Sequence, residues 1–300
     1  MRIRTFTADG AICTFTFDWE VAYHGDALDT RGCEALQFIR ARSRKTVACH
    51  QDSDSPRKLV VDGARISTRD LLKVDRQTSV LLEATTLDLV ELLHLLRAAV
   101  EHGLQRVDLL YAEPGSYQRE AIPLDAPWRR EFTLSDNYRF EGVAGFAANL
   151  NVDSDKTLVA FLGYEGARLV QAIEQLSDMA GWTKIAVFGV PGYASGWEMN
   201  ALANNVGTLY GMWDLSIQYC AAASVTGALD ILERVHSRQS DSATTVVAPL
   251  GTKPHTIASA LFLVKHCKYQ QSTLIWDHPS RTANRSAEVR RWHLYRIQIA

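Results

Sequence analysis

The stretch Thr244-Thr-Val-Val-Ala-Pro-Leu-Gly-Thr-Lys-Pro-His255 holds the residues whose types and spacing point most directly to chemistry. Thr244 to Val247 is a β-branched run, which reads as a buried strand. Ile257, Leu261 and Val264, with Ala260 and Phe262, follow at helical spacing. Between strand and helix stand Gly251, Thr252 and Lys253, with Pro254 suited to a first helical turn. Such a turn offers amide N–H groups at a helix start, a hydroxyl and an ammonium, which is a donor set for an anion. The same residues also suit a plain turn, with Gly251 at the bend, Thr252 as helix cap and Lys253 in water; both readings stay open. His255 is either a ligand contact or a cap on the loop. Three other strand-like runs end in polar turns: Glu83-Ala-Thr85-Thr86, Gly163-Tyr-Glu165-Gly166, and Gly189 to Gly196 with Gly192 inside it. Glu165 reads as a general base or as a helix N-terminal charge. Tyr193 and Trp197 suit stacking on a base or partial burial in the core.

Several chemistries lack their residues. Gly-x4-Gly-Lys-Ser/Thr does not occur, and Gly189-x-x-Gly192-x-x-x-Gly196 is not the dinucleotide fingerprint. Ala194-Ser195-Gly196 lacks the first glycine of a nucleophile elbow. Five scattered cysteines include no Cys-x-x-Cys, so no metal site and no cofactor is expected. Arg97-x4-His102 has a ribonuclease-like spacing, but it lies at a helix end before Gly103, where His102 suits the C-terminal dipole. No residue is assigned a catalytic role.

The elements that must carry these turns alternate. Strands are expected at Val80–Leu82, Val107–Tyr111, Thr157–Leu162, Lys184–Phe188, Thr244–Val247 and Ser272–Trp276, with a closing edge strand at Leu294–Ile299. Helices are expected over Leu87–Glu101, Leu169–Leu176, Trp197–Met212, Thr226–Arg238 and after Pro254. This predicts an α/β fold with a mostly parallel sheet and helices on both faces. The strands near 80–84, 107–111, 157–162, 184–188 and 244–248 should share that sheet and run parallel. The turns 83–86, 163–166, 189–196 and 251–255 would then line its carboxyl edge, where such sheets bind ligands. Residues 118–150 form a long connection. Residues 1–75 are less regular and β-rich, with a strand expected over 12–19; they form an N-terminal elaboration or small subdomain beside a domain of 76–300, or one continuous domain 1–300.

The strand–Gly251-Thr252-Lys253–helix arrangement resembles the nucleotide-sensing Rossmann-like domains of CRISPR-associated proteins, the CARF family. The specific match is confined to Thr244–His255, while the general α/β pattern runs over residues 79–299. The resemblance implies a Rossmann-like fold and a nucleotide-like anionic ligand held at the sheet edge by Gly251, Thr252 and Lys253. It further implies contacts from Thr85 and Thr86, a role in prokaryotic antiviral defence, and a homodimer or a subunit of a larger complex. This sequence departs from the family where Leu250 precedes a single glycine and Pro254-His255 follows the lysine.

Composition is compatible with that expectation. The 300 residues are 47% hydrophobic and 22% charged, with a net charge of −2, so a broad nucleic-acid footprint is not favoured. No apolar stretch reaches the roughly 20 residues of a membrane span, and the start of the sequence lacks a secretory signal pattern, so a cytoplasmic location is expected. The expected role is a ligand-sensing or partner-binding subunit. The alternatives are an enzyme acting on a nucleoside or nucleotide, with Glu165 or His255 as acid–base, and a scaffold with an unused pocket.

Overall fold

The computed structural model describes residues 1–299 except 53, 56, 118–131, 133, 137–139, 151–153, 177–178, 180, 213 and 268–270. It divides into two units, Met1–Tyr117 with Ala283–Ala300, and Gln118–Thr282. The first contains β1 (Arg2–Asp9), β2 (Trp19–His24), α1 (Thr30–Arg42), β3 (Ser43–Gln51), β4 (Lys58–Val61), β5 (Ala64–Ser67), β6 (Val80–Glu83), α2 (Leu89–Glu101) and β7 (Arg106–Tyr117). The second contains β8 (Ser135–Asp136), β9 (Lys156–Leu162), α3 (Gly166–Glu174), β10 (Thr183–Gly189), α4 (Trp197–Tyr210), β11 (Leu215–Cys220), α5 (Val225–His236), β12 (Thr244–Pro249), α6 (Lys253–His266), β13 (Ser272–Leu274) and β14 (Ser280–Arg281). The last strand, β15 (Ser286–Gln298), belongs to the first unit.

The first unit is built on a mixed sheet in the order β1-β15-β7-β6-β2-β3-β4-β5. Its middle strands β7, β6, β2 and β3 are parallel, while β1, β15, β4 and β5 join antiparallel at the flanks. Trp19, Ala22, Leu81, Leu110, Trp292 and Leu294 form one core with Ala35, Leu36 and Ile39 of α1. Helix α2 has local start and stop signals that the sequence displays. Glu91 accepts the Asp88 amide at 3.0 Å, and the helix ends where Gly103 takes φ +67°. The amides of Gly103 and Leu104 then return to the carbonyls of Val100 and Ala99, satisfying the end of the ladder. His102 occupies the C-cap.

The second unit holds a sheet in the order β11-β10-β9-β12-β13, with every pairing parallel. All six residues of β12 and all but Lys156 of β9 are buried, as expected of strands covered on both faces. From β9 the chain moves outward through β10 to β11, then returns to β12 and β13 on the other side. The direction therefore reverses between β9 and β12, the kind of position at which open α/β sheets bind ligands. Among the described residues no helix is long and apolar enough to cross a membrane.

Three expectations are corrected. The strands near 80–84 and 107–111 do not share a sheet with 157–162, 184–188 and 244–248; β6 and β7 pair with β2 and β15 in the other unit. Residues 12–18 are not a strand: the apolar residues Phe15 and Phe17 pack on the first core, and strand pairing starts at Trp19. The strand expected over Val107–Tyr111 does not end there but continues to Tyr117 against β15, with a register shift near Val289. Most of the long connection at 118–150 lies outside the described residues.

Candidate functional site

At the reversal in the second unit, Gly163–Glu165 follow β9 and Leu250–Thr252 follow β12. These loops lie side by side because Pro249 pairs with Phe161 in register. Their approach is too close for a side chain on one of them: a Cβ on Gly163 would stand 2.4 Å from the Leu250 carbonyl oxygen. Two amide side chains of α4 fix the same turn from behind. Asn205 Nδ2 donates to the Gly163 carbonyl at 3.0 Å, and Asn204 Nδ2 to that of Tyr164 at 2.6 Å. Gly251 is also held by contact, since φ is not in the left-handed range; a Cβ there would meet His255 Nδ1 at 3.0 Å and Phe161 Cβ at 3.2 Å.

Thr252 occupies the N-cap position of α6, yet its hydroxyl does not cap the helix. It donates instead to the Ala222 carbonyl at 2.6 Å, in the loop after β11. His255 makes a second tie to that loop, through Nε2 to the Ala221 carbonyl at 3.2 Å. That contact requires the Nε2–H tautomer, leaving Nδ1 as a buried acceptor with no hydrogen-bond partner among the described residues. The ring is fully buried against Phe161, and burial pushes its pKa down to about 4, so it is neutral at pH 7. Lys253 is the first residue of α6 and is partly exposed, beside the partly exposed Gly251 and Thr252.

Glu165 stands at the N-cap of α3 without capping it. Its carboxylate accepts the Leu134 amide at 3.0 Å and lies 3.8 Å from the Arg168 guanidinium. Arg168 in turn grips Asp277, just beyond β13, through Nε–Oδ2 at 2.5 Å and Nη2–Oδ1 at 2.8 Å, with its guanidinium 5.5 Å from the Trp276 ring. Asp277 is fully buried and Arg168 nearly so. This bidentate pair ties α3 on the β9 side of the reversal to the end of β13 on the other. Sequence reasoning missed both residues. The available signal was the Glu165-x-x-Arg168 spacing, which puts opposite charges on one helical face.

The other sequence candidates are placed differently. Gly192 lies in the loop after β10, against the start of α4, where a Cβ would be 2.8 Å from Glu198 Oε2. Tyr193 and Trp197 are buried, Trp197 edge-on to Tyr164 at 6.0 Å. Thr85 and Thr86 belong to the first unit and follow β6, in a different sheet from β9 and β12. Their amides donate to the fully buried Glu83 carboxylate at 2.8 and 2.9 Å, and the Thr86 hydroxyl also reaches it. Thr85 Oγ1 accepts the Ala112 amide and Thr86 Oγ1 the Gly25 amide, each at 3.0 Å. This turn is a cradle for an anion, and the protein's own Glu83 occupies it.

Among the described residues no group of three or more His, Cys, Asp or Glu is placed to hold a metal ion. No protein-family model matches the sequence, and the search of curated proteins gives no match either.

Proposed function

We propose that the second unit is a Rossmann-like ligand-sensing module that takes a nucleotide-like anion at the carboxyl edge of its parallel sheet, as a CARF-like sensor of prokaryotic antiviral defence would. The observation that carries the reading is the position of α6: its N-terminus, with Thr252 and Lys253, stands at the reversal between β9 and β12. Ligands of open α/β sheets bind at such points, and a helix start there favours negative charge. Lys253 adds an ammonium to that field.

Sensing is favoured over acid–base catalysis by the state of the titratable groups. His255 is fully buried and neutral, and Glu165 is engaged by Leu134 and Arg168. Neither is poised to exchange a proton with a ligand resting on the loop. The tie of Thr252 and His255 to the loop after β11 gives a sensor a physical route outward, because displacing the first turn of α6 must disturb Ala221 and Ala222.

The test is calorimetric titration with cyclic and linear oligonucleotides, using wild-type protein and Lys253→Ala. Loss of one charge-assisted contact should weaken binding about 10- to 100-fold. Thermal melting should be unchanged, since a lysine in this setting adds little stability. A wild-type protein that binds none of these ligands, or a variant of unaltered affinity, refutes the proposal.

A further inference from the structure

The first unit contains a cavity of about 650 Å³, lined by strands β2 to β5 and by residues of the segment 70–78 that leads into β6. Sites for small molecules commonly enclose roughly 300–1,000 Å³. The floor is apolar. Val21 and Tyr23 of β2 turn away from α1, because Ala22 between them packs into the core that α1 shares. Val47 of β3 stands beside Tyr23 in the parallel register, and Val61 of β4 continues the floor. Leu71 and Leu72 form a wall from the connecting segment, each only 2% exposed. Leu72 holds φ +52°, a conformation disfavoured for leucine that persists only where the surroundings enforce it. The wall is therefore anchored, and the cavity is formed before any ligand arrives.

Polar groups without partners stand over this floor. The Tyr23 ring is buried, but its hydroxyl has no hydrogen-bond partner among the described residues. Burial raises its pKa to about 12, so the hydroxyl keeps its proton and can donate. Two of the lining charges are already engaged: Lys73 pairs with Asp70 at 2.6 Å, and Asp62 accepts the Ala48 amide at 3.0 Å. Four are not. Arg44 and Lys45 of β3, Glu20 of β2 and Asp75 line the cavity, are exposed, and form no ion pair among the described residues. Lys45 is the register partner of Val21, so Glu20 and Lys45 lie near the starts of two adjacent strands. Unpaired charge of both signs thus stands at one end of an apolar floor.

We propose that this cavity binds a small zwitterion with an apolar body, its carboxylate facing Lys45 and Arg44, its ammonium facing Glu20 and Asp75. A free amino acid with a large apolar side chain and a short apolar peptide with both termini free share that chemistry. A purely anionic or purely cationic ligand would meet like charge at the same rim, which disfavours it. The apolar body supplies affinity by covering Val21, Val47 and Leu72, and the Tyr23 hydroxyl donates to a carbonyl or carboxylate oxygen. Every lining residue lies in the first unit, so the site stands whether or not the sheet edge of the second unit takes an anion.

Calorimetric titration of the full chain, with ligand up to about 5 mM, tests the proposal. The probes are phenylalanine, the dipeptide leucylphenylalanine, and the N-acetylated and C-amidated forms of each. At least one unblocked probe should bind; preference for the amino acid or for the dipeptide identifies the source. Blocking either terminus should weaken binding about 10- to 100-fold, the effect of one charge-assisted contact. Lys45→Met should weaken the unblocked probe by a similar factor, yet bind the amidated form as wild type does, because their contact is then already absent. Glu20→Gln should show the same pattern with the acetylated form. Tyr23→Phe should cost about 3- to 10-fold. Lys45 and Glu20 are exposed, so melting of both variants should match wild type. A wild-type protein that binds neither unblocked probe overturns the proposal. So does binding indifferent to both blocking groups, or unchanged in both Lys45→Met and Glu20→Gln, since the ligand would then sit elsewhere.

Discussion

The Arg168–Asp277 pair allows a sharp prediction, because burial makes its energetics different from those of a surface ion pair. Replacing Arg168 with Met keeps most of the side-chain length and removes the guanidinium that contacts both oxygens of Asp277. Asp277 then remains fully buried without its counter-charge, and Glu165 loses a guanidinium 3.8 Å away. Leaving one member of a buried pair uncompensated costs about 3–5 kcal/mol, whereas breaking an exposed pair costs about 0–1 kcal/mol. The double variant Arg168→Met/Asp277→Leu removes both charges and should recover most of that loss, because an apolar pair escapes the desolvation penalty. Urea unfolding combined with hydrogen exchange on peptides from β9 and β13 would read this unit separately from the other. A single-variant cost below about 1 kcal/mol would show that the pair is screened like a surface pair. A double variant no better than the single would show that Asp277 is not the group left stranded.

Protonation of His255 should weaken the fold in mild acid. Its folded pKa of about 4 lies below the ordinary 6.5, so the unfolded chain binds a proton that the folded chain excludes. Stability should therefore fall as pH drops from 6.5 toward 4, by about 3 kcal/mol from this group. His94 in the first unit is likewise pushed down to about 4 by burial and adds its own slope; His255→Gln should remove only the part belonging to the second unit, and unchanged pH-dependence of that unit would contradict the burial. Crowding between the two loops predicts that Gly163→Ala and Gly251→Val each destabilise by about 1–3 kcal/mol. Gly163→Ala is the more informative of the two, because its Cβ would stand 2.4 Å from the Leu250 carbonyl oxygen, closer than any contact at Gly251; melting unchanged from wild type would show that the loops are not packed as described.

What was legible in the sequence is what local chemistry determines. The strand, turn and helix around Gly251-Thr252-Lys253, the start and stop of α2 and the runs of β9, β10 and β12 follow from β-branching, capping and period. The division of strands between two sheets was not legible. Val80-Leu-Leu82 and Thr157-Leu-Val-Ala-Phe-Leu162 carry the same apolar signal, and nothing local in either says which distant strand completes its ladder. In the structure β6 finds β2 and β7, while β9 finds β10 and β12. β11 was missed because an edge strand with one open face, Leu215-Ser-Ile-Gln-Tyr-Cys220, lacks the dense apolar run of a buried strand.

The candidate site was legible only at its backbone. Gly251, Thr252 and Lys253 were singled out as a helix start, and they form one. The fate of each polar side chain was decided by a residue far along the chain: Ala222 for Thr252, Ala221 for His255, Leu134 for Glu165. The turn of Thr85 and Thr86 makes the same point in reverse. Its amides and hydroxyls have the anion-binding pattern the sequence suggested, but Glu83, two and three residues before them, already supplies the anion. A donor-rich turn therefore marks a ligand site only where the protein has no carboxylate of its own to place there. By that rule the turn at Glu83 is closed to a ligand, and the proposed site rests on the partly exposed start of α6 at the reversal between β9 and β12.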